Sequence, residues 1–187
     1  MAEITNFERV AFGVSDANTI AEHKFRWEWA KGKIQKTDVI LIAGCGYGYE
    51  IPIYKEREPK EIWAIDKTDA IQYCFHVDYG GLILIDDDLE VCEEFKKLPD
   101  DTFNKVISFE TIEHLANPNI FLETVVKKLK PRGQFIGSIP INNASPVHKV
   151  IYTKEDIKNL LQKYFPDNSY TVWQDPCFVL WDAVKGE

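Results

Sequence analysis

The sequence predicts an α/β fold in which strands and helices alternate to build a mostly parallel sheet with an antiparallel edge at its C-terminal end. Four apolar runs carry that prediction: VILIAGCGYGYE from Val39, EIWAID from Glu61, GLILIDDD from Gly81 and KVISFETIEHL from Lys105, with helix-like segments between them. Such alternation makes neighbouring strands parallel. A second observation is that glycines or acidic residues gather where each apolar run ends, the edge at which an open parallel sheet forms its binding crevice. A third is the pair of apolar stretches that close the chain.

In chain order, the first run empties into Gly44, Gly46 and Gly48. Glycine tolerates φ > 0 and lacks a Cβ, so a glycine-rich turn lets backbone N–H groups approach a ligand closely. The spacing is G-x-G-x-G; a dinucleotide fingerprint would need a glycine at Tyr49. Taken alone, the motif suits a ligand cradle or a ligand-free strand–helix turn. Tyr47 to Arg57 is expected to form the first crossover helix, with Pro52 in its opening turn. Thr68 to Tyr79 and Leu89 to Leu98 are the next two helices, and Pro99-Asp100-Asp101 is a turn. Phe121, Leu122, Val125, Val126 and Leu129 share one helical face that ends at the turn Lys130-Pro131-Arg132-Gly133, before a fifth strand, GQFIGSIP. Ile157, Leu160, Leu161, Tyr164 and Phe165 mark a helix from Lys154 to Phe165, with Thr153 and Asp156 spaced as a capping box and Pro166 as the stop. SYTVW from Ser169 and CFVLWDAVK from Cys177 read as a strand pair joined by Gln-Asp-Pro.

A chain of 187 residues can hide about 70% of its unfolded surface, so a single domain, 1–187, is expected. No apolar stretch approaches 18 residues and no charged start precedes an apolar segment, which points to a cytoplasmic protein without a membrane span. Cys45, Cys74, Cys92 and Cys177 form no C-x-x-C pair, against a zinc site or a disulfide framework. The net charge of −8 disfavours a polyanionic partner. Two basic clusters, Lys31, Lys33, Lys36 and Lys127, Lys128, Lys130, Arg132, are read as solvated faces because a nucleic-acid domain is usually basic overall.

LIAGCGYG, the strand-end Asp66, the acidic turn before Leu89, and FETIEHL followed by LKPRGQFIGSIP occur together in one order. In this the chain resembles class I S-adenosylmethionine-dependent methyltransferases, in the branch with an S-F-E-x-I-E-H-L segment. The resemblance implies a three-layer Rossmann-like sandwich around a mostly parallel seven-stranded sheet with an antiparallel C-terminal hairpin edge. It implies S-adenosylmethionine as cofactor, with Gly44, Cys45 and Gly46 along its methionine part, Asp66 at the ribose, Asp88 and Leu89 at the adenine, and Gly48, Lys67 and Phe109 as further cofactor-binding residues. Many members carry an acidic residue where this chain has Ile42. Its work on the cofactor's amino group must fall here to backbone carbonyls, water or another side chain.

The segment 1–36, with Phe25, Trp27 and Trp29, precedes a core of 37–187. It is either an amphipathic helix packed on the sheet or a helical lid. His23, Arg26 and Trp27 match an H-x-x-R-[YW] signature of resembling sequences, which places Arg26 at the cofactor's carboxylate; the forked donors of a guanidinium suit that task.

The chemistry is expected after the fourth strand. A helical turn there puts Glu110, Glu113 and His114 on one face, with His148 converging from beyond the fifth strand. Methyl transfer from a sulfonium is an in-line displacement, in which alignment supplies much of the rate. An aliphatic hydroxyl must also lose its proton, a task for His114 or His148 with Glu113 beside them. The four residues also resemble the E-x-x-E-H constellation of small-RNA 2′-O-methyltransferases and, more loosely, of ubiquinone-pathway O-methyltransferases, which hold a divalent ion. The reading carried forward is a base without a metal; the alternatives are a metal site on Glu110, Glu113, His114 and His148, and a structural junction. No D/N-P-P-Y or catalytic Pro-Cys follows the fourth strand, unlike base-methylating families. With the compact size and the acidic balance this points to a small-molecule acceptor, and the resemblance implies O-methylation of a hydroxyl such as one on a sugar or polysaccharide precursor, with metal-assisted RNA 2′-O-methylation and a non-catalytic cofactor-binding module as alternatives. Oligomeric state stays open.

Overall fold

The computed structural model describes residues 15, 17–74, 81–166, 170–174 and 177–187. Seven strands form one sheet in the order β3-β2-β1-β4-β5-β7-β6. They are β1 (Val39–Ala43), β2 (Glu61–Asp66), β3 (Leu82–Asp86), β4 (Phe103–Phe109), β5 (Leu129–Pro140), β6 (Tyr170–Gln174) and β7 (Phe178–Val184). The first five are parallel to their neighbours, while β7 pairs antiparallel with both β5 and β6. The expected α/β sandwich with its antiparallel edge is the fold observed.

Helices cover both faces. Every residue of β1 is buried, as an interior parallel strand requires. Its period of two sends Ile40 and Ile42 into a cluster with Trp27, Ala30 and Ile34 of α1 (Ala17–Lys31), Ile51 and Tyr54 of α2 (Ile51–Lys55), and Cys74 of α3 (Thr68–Cys74). Val39, Leu41 and Ala43 face the larger cluster, with Phe95 of α4 (Glu93–Lys97), Phe121, Leu122 and Val125 of α5 (Asn119–Lys128), and Ile157 and Leu161 of α6 (Lys154–Tyr164). Trp181 of β7 fits against β5 because Gly137 has no side chain; a Cβ there would lie 2.1 Å from the indole.

Several boundaries differ from the sequence reading. The first crossover helix is one short turn and a half, with Pro52 in its opening turn. The expected helix Leu89–Leu98 begins only at Glu93, because Asp87 folds back and accepts the N–H groups of Glu93, Glu94 and Phe95 at 3.0, 3.0 and 2.9 Å. The turn at 130–133 is a bulge inside β5, where the register jumps between Phe103↔Leu129 and Lys105↔Gln134 and Arg132 takes φ 63°. At Thr153 the capping box forms as expected. Residues 1–14 and 16 of the lid segment, the end of the Thr68–Tyr79 helix beyond Cys74, Ser169, and Asp175 and Pro176 of the last turn lie outside the described residues.

Most of the basic-cluster side chains are engaged internally, while Lys127 and Arg132 are exposed. Lys33 binds Asp182 at 2.7 Å beneath Trp29 and Trp173, Lys31 pairs with Glu56 at 2.9 Å, and Lys36 pairs with Glu58. Buried Lys128 donates to the carbonyls of Lys96 and Leu98 and to Asp100, and Lys130 donates to Asn104. Among the described residues, no helix is long and apolar enough to cross a membrane.

Candidate active site

At the C-terminal edge of the sheet lies a cleft of about 1070 Å³ including its open mouth. The glycine loop forms its floor. Gly44, Gly46 and Gly48 all take positive φ, 78°, 52° and 74°, which turns β1 sharply into α2. For two of them the missing Cβ serves the protein rather than a ligand. A Cβ on Gly44 would sit 2.3 Å from Thr111 Oγ1, and one on Gly48 would sit 2.8 Å from both Cys74 Sγ and Ile51 Cδ1. The sequence reading of close ligand approach therefore needs refining at these positions.

Gly44, Cys45, Gly46, Asp66, Lys67, Asp88, Leu89, Phe109 and His114 all line the cleft. Asp66 ends β2 and binds the loop from the side: Oδ2 accepts the Gly46 N–H at 2.7 Å and Oδ1 accepts the Lys67 N–H at 2.8 Å. Lys67 in turn pairs with Asp88 at 3.1 Å. The thiols of Cys45 and Cys74 both reach the Gly46 carbonyl at 3.8 Å. Helix α1 adds His23 and Trp27 to the wall, with their rings 5.8 Å apart. Burial, and then the charge of Arg26, push His23 down to about 3, so its ring is neutral at physiological pH. Arg26 is buried one residue before Trp27, its guanidinium 4.9 Å from the Phe178 ring and its Nε without a hydrogen-bond partner.

The segment after β4 is not the α-turn expected. Glu110 adopts φ 51°, and a single 3₁₀ turn follows at Ile112–His114. That geometry separates the two glutamates. Glu110 lines the cleft and accepts the Ser138 hydroxyl at 2.7 Å, whereas Glu113 turns inward, 1% exposed, with neither carboxylate oxygen hydrogen-bonded. Burial, reinforced by the Glu110 charge, holds the Glu113 carboxyl well above the usual range. The Glu113 carbonyl accepts the N–H groups of Lys149 and Val150 at 2.8 and 3.2 Å, which folds the loop after β5 back over the turn. His148 is thereby carried to His114, ring centres 5.1 Å apart. Each imidazole places Nδ1 on a main-chain carbonyl, Val147 at 3.2 Å for His114 and Asn143 at 3.1 Å for His148. Glu113, His114 and His148 each offer a ligand atom, all within 4.8 Å of one another. Glu110 stands outside this group, so the expected set of four reduces to three.

The family profile described as a methyltransferase domain matches residues 41–137, more than half of the chain. The chain belongs to that family. Its sheet is that of the class I S-adenosylmethionine-dependent methyltransferase fold, and membership implies S-adenosylmethionine as the cofactor. A S-adenosylmethionine-dependent methyltransferase from Archaeoglobus fulgidus is 20% identical, with a TM-score of 0.67 over 91% of this chain and 100% of its own. The YcgJ protein of Bacillus subtilis is 12% identical, with a TM-score of 0.71 over 88% and 100%. The [4+2]-cyclase SpnF is 10% identical, with a TM-score of 0.73 over 94% and 84%. At such identities the likeness shows the fold alone, and SpnF shows that the fold carries other chemistry too. No curated protein matches the sequence significantly.

The cleft suits the implied cofactor: a glycine turn beside a strand-end carboxylate offers acceptors for ribose hydroxyls, and apolar Leu89, Ile107 and Phe109 offer flat surface for a ring. Among the cleft-lining residues to which sequence reasoning gave no role are Tyr49, Glu50, Glu90 and Thr111. A visible signal existed for Glu50, an acid set among the apolar residues that open α2.

Proposed function

We propose that this chain catalyses transfer of a methyl group from S-adenosylmethionine to an oxygen of a small molecule, a hydroxyl on a sugar or polysaccharide precursor. The observation that carries the reading is that His114 opens onto the same cleft as the glycine loop and Asp66. In this reading Gly44, Cys45 and Gly46 run along the methionine part of the cofactor, with Gly48 completing the turn. Asp66 and Lys67 hold the ribose, Asp88 and Leu89 meet the adenine beside Phe109, and Arg26, which lies against Phe178 behind the cleft lining, is the candidate for the carboxylate. The cofactor brings a methyl group on a positively charged sulfur that leaves as a neutral thioether. Because Nδ1 of His114 donates to the Val147 carbonyl, Nε2 is the nitrogen that takes the acceptor's proton as its oxygen attacks. The net charge of −8 and the carboxylates around the cleft favour an uncharged or cationic acceptor over a nucleic acid. Supplying a panel of hydroxylated acceptors with radiolabelled methyl donor tests this. His114→Ala should lower turnover by about two to four orders of magnitude, the usual worth of acid–base help, without matching loss of cofactor affinity. Full activity in that variant would refute the base, and cofactor binding without turnover on any acceptor would leave a binding module.

One observation favours a second reading, the convergence of Glu113, His114 and His148, with His114 Nε2 4.0 Å from Glu113 Oε1 and neither Glu113 oxygen hydrogen-bonded. Imidazoles whose second nitrogen is tied to a carbonyl are oriented as metal ligands usually are, and mixed carboxylate and imidazole donors suit a divalent ion that polarises the acceptor oxygen. Chelation separates the readings. Activity that survives exhaustive EDTA supports the base alone, whereas loss restored by a divalent ion supports the metal. If that turnover also required RNA, the chain would be a metal-assisted RNA 2′-O-methyltransferase.

A further inference from the structure

Among the described residues, Glu50 is a buried carboxylate with no cation paired to it. It precedes α2, just past the glycine loop, is 7% exposed, and lines the cleft together with Cys45, Tyr49 and Asp66. Asp66, Cys45, Cys74 and Tyr54 surround it, and all are acidic or neutral; Lys67 is paired with Asp88, and His23 across the cleft is held neutral by burial. Ile42, on the same wall, contributes no charge. A buried acid bordering an open ligand cleft is stable as the neutral carboxyl until a positive charge arrives.

We infer that Glu50 is the counter-ion for the positively charged methionine end of the cofactor, losing its proton when that charge binds. The inference rests on the reading of the cleft as an S-adenosylmethionine site. It gives Glu50 the work for which Ile42 has no carboxylate. Burial raises the Glu50 carboxyl to about 8, against the weaker opposing effect of its own backbone N–H, so the free protein carries this proton at pH 7. Binding the cation then converts a neutral carboxyl into a desolvated ion pair, and the proton goes to solvent.

Calorimetry on the full chain in buffers of different ionisation enthalpy counts that proton directly. The window of pH 6.0 to 7.0 keeps most of the cofactor's own amino group charged, since such groups titrate near about 7.7 to 8.0. The wild type should release most of one proton per cofactor bound at pH 7, with affinity falling up to about tenfold per pH unit on acidification. Glu50→Gln should release none, bind at least about tenfold more weakly at pH 7.0, and show a nearly flat profile from pH 6.0 to 7.0. Release with both S-adenosylmethionine and S-adenosylhomocysteine assigns the partner as the ammonium, which the two share; release with the methyl donor alone assigns the sulfonium. Cofactor binding by the wild type with no proton released, or release that persists in Glu50→Gln, overturns the inference while leaving the cofactor site intact. Absence of any binding by the wild type overturns the cofactor reading itself.

Discussion

Replacing Asp66 with alanine tests how the cleft divides its work between shaping the loop and binding the cofactor. The carboxylate already accepts two backbone N–H groups, from Gly46 at 2.7 Å and Lys67 at 2.8 Å. Those bonds exist with and without ligand, so their loss largely cancels from the binding equilibrium and appears in stability instead. What remains in the affinity is the contact with the ribose hydroxyls, which use the lone pairs the backbone leaves over. A hydrogen bond to a charged group is worth about 1.5 to 3 kcal/mol, so Asp66→Ala should weaken cofactor binding roughly ten- to a hundredfold. Asp66→Asn should fall between, because its NH₂ must face either the Gly46 or the Lys67 N–H, donor against donor. Titration calorimetry with S-adenosylmethionine and S-adenosylhomocysteine measures both variants, and thermal unfolding without ligand measures the loop separately. Wild-type affinity in Asp66→Ala would refute the assignment of the ribose to this strand end.

Asp87→Ala strips three N–H groups at the start of α4 of their acceptor, and should cost about 2 to 3 kcal/mol, lowering the melting temperature of the ligand-free protein by about 4 to 12 °C. Gly44→Ala should destabilise the ligand-free protein by about 1 to 3 kcal/mol, since its Cβ meets Thr111 and its φ of 78° disfavours any side chain; denaturant unfolding of Gly44→Ala with and without Thr111→Ala should show part of the loss recovered in the pair. Glu50 makes stability pH-dependent in a defined direction. An acid raised from 4.5 to about 8 binds its proton more tightly when folded, so it weakens the ligand-free fold progressively as pH rises through that window. Glu50→Gln should accordingly melt higher than the wild type at pH 8 to 9, with the gap closing towards pH 5; a gap that widens on acidification would refute the raised carboxyl.

What the chain discloses by sequence follows the range of the interactions involved. The β1 run, the acidic strand ends and the Thr153–Asp156 cap are local patterns of period or spacing, and each appears in the fold where it was expected. The shortened α4 was hidden because its cap, Asp87, sits outside the helix and reaches six to eight residues forward. The glycine loop was legible as a turn but not in its reason: Gly44 answers to Thr111, sixty-seven positions away, and Gly48 to Cys74. His148 belongs beside His114 only because the Glu113 carbonyl captures the N–H groups of the next two residues, a main-chain contact with no side-chain signature. The same turn that makes this capture also buries the Glu113 side chain and frees Glu110 to face the cleft. A single irregularity after β4, the φ of 51° at Glu110, thus separates two carboxylates that the E-x-x-E-H spacing presents as one face, and so separates the group at the cleft wall from the group behind it.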